Sequence, residues 1–350
     1  MNTNEPNSSI KTIPVSVITT CYGRNRHLYN LLASLANGSV QPAEVIIVND
    51  DADPKRLSQY PLNIIRFPTT DDSLLDSASE LTETKAVEAE VIKNTGFDIG
   101  RNRNIGAAQA SHDALIFLDV DCIVAPTFIE QVEAKLQSHP NALLMGQPRY
   151  LTRPLTDDEG VRLKQGKLAS DNLDKLSVFN PYRYNFEAKN VRAADSQTGH
   201  DINTDINTDT AIEKTQDYGA FWSLCFAIMR AQFAQIGGFD THYVGYGAED
   251  TDFAFTARAL NIDFYLTNDV IYHQQHSVYR PPLNHLKSIV INANRFYEKW
   301  QHWPMAGWLA EFSAMDLIDW QAQQSVAIAI IRQPSKVEIA AAHYPDAPYV

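Results

Sequence analysis

Three groups of residues have types and spacings that can do chemistry. Leu118-Asp119-Val120-Asp121 closes an apolar run with two carboxylates one residue apart. In an extended segment side chains i and i+2 point the same way, so Asp119 and Asp121 are expected to face one ligand. Two oxygen ligands so placed suit Mg²⁺ or Mn²⁺, which can neutralise a diphosphate. By itself the pattern fits a solvated strand end as well. His273 closes a second apolar run and His276 follows three residues on; an imidazole there can complete a metal site or be structural. The third group is Gly245-Tyr246-Gly247-Ala248-Glu249-Asp250-Thr251-Asp252. Acids in a first helical turn complement the helix dipole. That explains the charge, but not the two glycines and the aromatic ahead of it. A carboxylate at such a loop end can serve as general base towards a hydroxyl.

Two further segments could bind a nucleotide. Gly96 to Gly106 holds Asp98, Gly100, Arg101, Arg103 and Asn104, and glycines with arginines before a helix N-terminus suit phosphate. Thr20-Cys21-Tyr22 and Asp50 follow the first two apolar runs. Ligands of open α/β sheets bind beyond the carboxyl ends of the strands. Asp50 there could accept a hydrogen bond from a base, or cap a helix.

These residues need elements to hold them. Val15–Thr19, Val45–Val48 and Ile64–Phe67 read as buried strands, and Leu28, Leu31, Leu32 and Leu35 between the first two fall at helical spacing. Strand, helix, strand predicts parallel pairing with crossover helices. A helix near Asn104–Ala110, a strand at Ala114–Leu118, a helix over Pro126–Leu136 and a strand from Ala142 continue the rhythm. Thr156 with Glu159 forms a capping box. Strands at Leu224–Met229 and Phe264–Tyr272 flank a helix over Glu249–Leu260. The chain divides into a flexible N-terminus (1–12), a first half (13–150) with an acidic insert (69–95), a second half (151–280) with a mobile loop (185–216), and a helical C-terminal extension (281–350). In that extension Leu286, Ile289, Val290, Ala293, Phe296 and Trp300 share one face, and a helix resumes over Trp308–Trp320 after Pro304. Its expected role is a cover on the sheet.

The 350 residues carry 42 acidic against 29 basic side chains, a formal net charge of −13. With no Lys/Arg run, nucleic acid and anionic membranes are poor partners. Cys21, Cys122 and Cys225 show no metal-type spacing and are expected as buried free thiols. No apolar run approaches the roughly 20 residues of a membrane span, and Met1–Thr12 has no apolar stretch of a signal peptide. The expectation is a cytoplasmic protein, compatible with peripheral contact at the inner membrane face and with oligomerisation.

Taken in order, these segments resemble the GT-A glycosyltransferases, particularly family 2 enzymes. Val15–Tyr22 with Val48-Asn49-Asp50 looks like their first two strands. Gly100-Arg101-Asn102-Arg103-Asn104-Ile105-Gly106 is similar to their ARN-x-G segment, and Asp119-Val120-Asp121 to their D-x-D motif. Gly237-Gly238-Phe239-Asp240 followed by Gly245–Asp250 resembles the GGFD and GWGGED block of galactosyltransferases and chondroitin polymerase. The resemblance covers residues 13–280. It implies an α/β GT-A fold, a mixed sheet flanked by helices. It also implies metal-dependent transfer of a sugar from a nucleotide-sugar, a UDP-sugar, to a glycan, lipid-linked or protein acceptor, as in polysaccharide biosynthesis. Asp50 would contact the base, Thr20 and Tyr22 line the nucleotide, and Arg101 and Arg103 meet the nucleotide or diphosphate. Asp121 would bind the metal, Asp119 the ribose or metal, and His273 would be the third ligand with His276 in reserve. Asp250 would be the base of an inverting displacement and Glu249 would hold a sugar. Trp222, Tyr246 and Gly247 would line the acceptor side. Tyr246 stands where the family has tryptophan and Ala248 where it has glycine, so the acceptor would stack differently. Two other readings remain: a nucleotide-sugar-binding protein without turnover, and a sugar nucleotidyltransferase. Cys21–Asn25 poorly matches the glycine-rich, lysine-bearing loop of the latter.

Overall fold

The computed structural model describes residues 11–67, 98–181 and 212–349. The acidic insert, nearly all of the N-terminal segment and most of the loop expected at 185–216 lie outside the described residues. Residues 212–215 of that expected loop instead form a strand.

A ten-stranded mixed sheet organises the described residues. Its strands are β1 (Thr12–Thr20), β2 (Gln41–Val48), β3 (Ile64–Phe67), β4 (Ala114–Leu118), β5 (Cys122–Val124), β6 (Ala142–Leu151), β7 (Ser177–Val178), β8 (Ile212–Thr215), β9 (Cys225–Met229) and β10 (Asp263–His273). The main order is β3-β2-β1-β4-β9-β6-β10-β5, with β7 on β6 and β8 on β10. β1, β2, β3 and β4 are mutually parallel, and β9 runs antiparallel between β4 and β6. β1 alternates only at its start and is then buried throughout, as expected of a strand covered on both faces. Val15 and Val17 point into one core layer with Leu28, Leu31, Leu32 and Leu35 of the Asn25–Ala36 helix. Ile18, Ile46 and Val48 point into the other, against the Ile99–Gln109 helix and a cluster of phenylalanines. Gly106 lets that helix lie directly on β1: a Cβ there would sit 2.4 Å from the Ile18 methyl.

The Ile99–Gln109 helix starts five residues before the expected Asn104, because Asp98 accepts the Arg101 N–H and caps it. The Thr156–Glu159 capping box forms as expected. The three cysteines are buried and free.

The chain beyond residue 280 is less helical than expected. The Leu286–Trp300 and Ala306–Ala314 helices pack in a third core cluster. The second stops at Ala314 instead of continuing to Trp320. Two short ribbons follow: β11 (Val278–Tyr279) pairs with β14 (His343–Tyr344), and β12 (Ile318–Asp319) with β13 (Ala329–Ile330). Among the described residues no helix is long and apolar enough to cross a membrane.

Candidate functional site

β10 sets one side of the site. Its pairing with β6 shifts register between Leu266 and Val270. The irregularity is held from below by Lys135, whose Nζ donates to Asp269 Oδ1 at 2.5 Å, while Thr267 Oγ1 donates to Oδ2 at 2.6 Å. Past it, β10 pairs antiparallel with β5, placing His273 opposite Cys122 and beside Asp121. The Gln274 N–H donates to the Asp121 carbonyl at 2.7 Å, and the chain then returns His276 to the same carboxylate. His273 Nε2 lies 3.5 Å from Asp121 Oδ1 and His276 Nε2 3.5 Å from Oδ2. The three donor atoms fall within 4.8 Å of one another.

These residues fit a divalent cation. Two ligands about 2.1 Å from one ion sit roughly 3–3.5 Å apart, close to the separation seen. Asp121 Oδ1, the oxygen that faces His273 Nε2, is buried without a hydrogen-bond partner. Burial lowers the His273 imidazole to about 4 and also lowers His276, so both stay neutral, the form that ligates. Burial would raise Asp121, but His273, Arg24, His276 and His27 together hold it well below the carboxylate range. Arg24 Nη1 donates directly to Asp121 Oδ2. Arg24 and His27 were missed in the sequence. Arg24 sits in the loop after β1, and a cation at a parallel strand's carboxyl end is the signal that could have found it.

The D-x-D segment is a turn and not the extended segment expected, and its two aspartates take different partners. β4 ends at Leu118, and the Cys122 N–H donates to the Asp119 carbonyl, closing a turn. Asp119 therefore meets Arg103 Nη2 at 2.7 Å and is not among the three clustered ligands. Arg103 is 3% exposed and also donates to Ser223 Oγ at 2.8 Å and the Ser223 carbonyl at 3.2 Å. Its charge acts on Glu249 and Asp250 as well, tying the metal side to the acidic side.

Glu249 and Asp250 open the Glu249–Ala259 helix. Burial and the neighbouring Asp250 raise Glu249 to about 8, with Arg103 opposing. Burial also raises Asp250, against the Thr251 N–H that donates to its Oδ1 at 2.7 Å. The loop ahead of them is held by Asn292, 1% exposed, whose Nδ2 reaches the carbonyls of Val244, Tyr246 and Gly247 at 3.1, 3.3 and 2.9 Å. Gly247 has φ +95°, and a Cβ would meet Met305 Sδ at 2.5 Å. Ala248 takes φ +72°, a strained angle for a residue with a Cβ. Asp252 is structural: it accepts from Trp300 Nε1 at 2.7 Å, Lys299 Nζ at 2.9 Å and Tyr243 Oη at 3.1 Å. Asn292 was missed because one amide beside an apolar helical stripe reads as its border.

The remaining expected residues are dispersed. Asp50 is buried, with both oxygens engaged by Arg66 and Oδ1 also accepting the Ala52 N–H at 3.0 Å. The cap of the next helix is Asp53, not Asp50. Thr20 is buried in β1 and Tyr22 is 60% exposed. Arg101 is half-buried at the start of its helix. Asn104 clamps the Gly237–Phe239 turn through the Phe239 N–H and carbonyl, both at 2.8 Å. Trp222 is half-buried and touches both core layers. Tyr246 stacks on His285 at 4.6 Å.

The family described as glycosyltransferase like family 2 matches residues 56–282, well over half of the chain. Validoxylamine A glucosyltransferase of Streptomyces hygroscopicus subsp. limoneus is 21% identical over 294 residues, covering 81% of this chain and 56% of that protein. The chain thus spans little more than half of that relative's length. Residues 1–349 of S. aureus TarS align with a TM-score of 0.44 and 13% identity over 83% of this chain and 73% of that one. The same protein in complex with UDP gives 0.45 and 14% over 81% and 66%.

Proposed function

The chain belongs to glycosyltransferase like family 2, and from that premise we propose that it transfers a sugar from a UDP-sugar to an acceptor hydroxyl with Mn²⁺ or Mg²⁺. The observation carrying this reading is the convergence of Asp121, His273 and His276 beside the Arg103–Asp119 pair. Asp121, His273 and His276 would hold the cation, which when bound supplies positive charge to the leaving diphosphate. Arg24, released from Asp121, would meet the same phosphates, and Arg103 would hold Asp119 for the ribose. The raised Asp250 carboxyl suits a group that takes a proton.

Asp250 accepts the acceptor hydroxyl proton as that oxygen bonds to the sugar anomeric carbon. The bond from that carbon to the diphosphate breaks, and the nucleoside diphosphate leaves with the electron pair. Attack opposite the leaving group inverts the anomeric centre. Glu249, protonated at neutral pH, donates a hydrogen bond to a sugar hydroxyl. Tyr246, Gly247 and Trp222 line the acceptor side. The Asp50 contact to the base requires Arg66 to shift or to share the contact. In this division residues 13–150 hold the donor and 151–280 bring the acceptor, a glycan on a polysaccharide, lipid carrier or protein.

The test is release of UDP from a panel of UDP-sugars with Mn²⁺. Asp121→Asn should lose at least about a hundred-fold in turnover, the scale of a removed electrostatic stabiliser. Full activity in that variant would end the metal assignment.

A further inference from the structure

Residues 343–349 lie across the site. β14 pairs antiparallel with β11, which begins two residues beyond His276. Past it, Gln275 Nε2 donates to the carbonyls of Pro345 at 2.8 Å and Ala347 at 3.2 Å, and Arg280 Nη2 donates to that of Pro348 at 2.5 Å. These bonds deliver the Tyr349 ring to 5.1 Å from the His273 ring and 5.3 Å from that of His276. Its hydroxyl lies 2.5 Å from that of Tyr246, three residues before Glu249. Tyr349 therefore spans from the candidate metal ligands to the loop that carries the acidic pair. A donor sugar and an acceptor hydroxyl must meet in that gap. A phenol is a flat apolar disc with a polar rim and packs on ring faces as a sugar does.

We propose that residues 343–349 are a strap that holds Tyr349 in the place of the incoming sugar, and that substrate displaces it. The proposal rests on the reading of the site given above. The hydrogen bonds that fasten residues 345–348 end on main-chain carbonyls, residues 343–346 are exposed, and ring contacts of His343 on Tyr279 and of Tyr349 on Tyr150 complete the attachment. Water can replace those hydrogen bonds when the strap lifts, so opening is reversible.

A site that is competent in only a fraction of molecules binds more weakly by that fraction. If the strap is closed in about nine molecules of ten, its removal tightens binding about ten-fold. The experiment is calorimetric titration of a panel of UDP-sugars, beside UDP itself, in saturating Mn²⁺ with the wild-type chain, Tyr349→Ala and Tyr349→Phe, each checked by thermal melting; the effect is read on the UDP-sugar. Tyr349→Ala should bind about ten-fold tighter, with a melting temperature lowered by only about 2 °C. Tyr349→Phe keeps the ring and loses the hydroxyl pair, so it should fall between, and it decides the matter alone if the alanine variant does not fold. Equal or weaker binding by the variants would overturn the strap and leave the site reading intact. Absence of UDP binding by every chain would overturn both.

Discussion

Replacing Glu249 by glutamine should stabilise the protein at neutral pH. Burial and Asp250 lift this carboxyl from 4.5 to about 8. At pH 7 the unfolded chain has released the proton and the folded chain retains it, so folding carries an uptake penalty. The penalty spans about 2.5 pH units, from the unfolded value to pH 7, and at 1.36 kcal/mol each amounts to about 3 kcal/mol. Glutamine has the same shape and no proton to take up, so the variant recovers that amount. With about 2.1 cal/mol/K of unfolding entropy per residue over 350 residues, this is a rise of about 4 °C in melting temperature. The sign follows from the direction of the shift. Below pH 4.5 both states are protonated and the variant gains nothing. The gain grows as pH rises from there and levels off above about 8. The assay is thermal melting of both chains from pH 4 to 9. An unchanged melting temperature at pH 7, or a gain equally large at pH 4, would refute the argument that the acidic pair is held desolvated for function.

Asn292→Leu leaves the Val244, Tyr246 and Gly247 carbonyls without their shared donor. It should cost about 3 kcal/mol, read by denaturant titration, and lower turnover far more than UDP affinity. Arg24→Ala removes a competitor for Asp121. Mn²⁺ should bind at least as tightly, while UDP in the presence of Mn²⁺ weakens by about ten-fold or more, the worth of a charged hydrogen bond. Calorimetry with metal alone and then with nucleotide separates the two effects.

What the sequence made legible is what local pattern encodes. β4 falls where an unbroken apolar run places it, β3 where Ile64, Ile65 and Phe67 place it despite Arg66, and the Thr156–Glu159 box caps its helix. His273 and Asp121 lie at the ends of apolar runs, and the sheet joins them because β10 and β5 share a register. The turn at Asp119 escaped notice because its closing Cys122 N–H bond has no side-chain signature. β8 was hidden in a polar run: an edge strand of sequence Ile-Glu-Lys-Thr buries too little to alternate visibly. Arg24, Asn292 and Tyr349 act through contacts across 45 or more positions of chain, which no window of sequence displays.

The central claim is that Asp121, His273 and His276 form a cation site that serves a nucleotide-sugar. The most direct measurement is thermal shift with a panel of nucleotide-sugars, with and without Mn²⁺. Stabilisation by a UDP-sugar that requires Mn²⁺, and is abolished by His273→Ala, is the predicted result. Equal stabilisation with and without the metal, or no shift with any nucleotide-sugar by a folded chain, would contradict it.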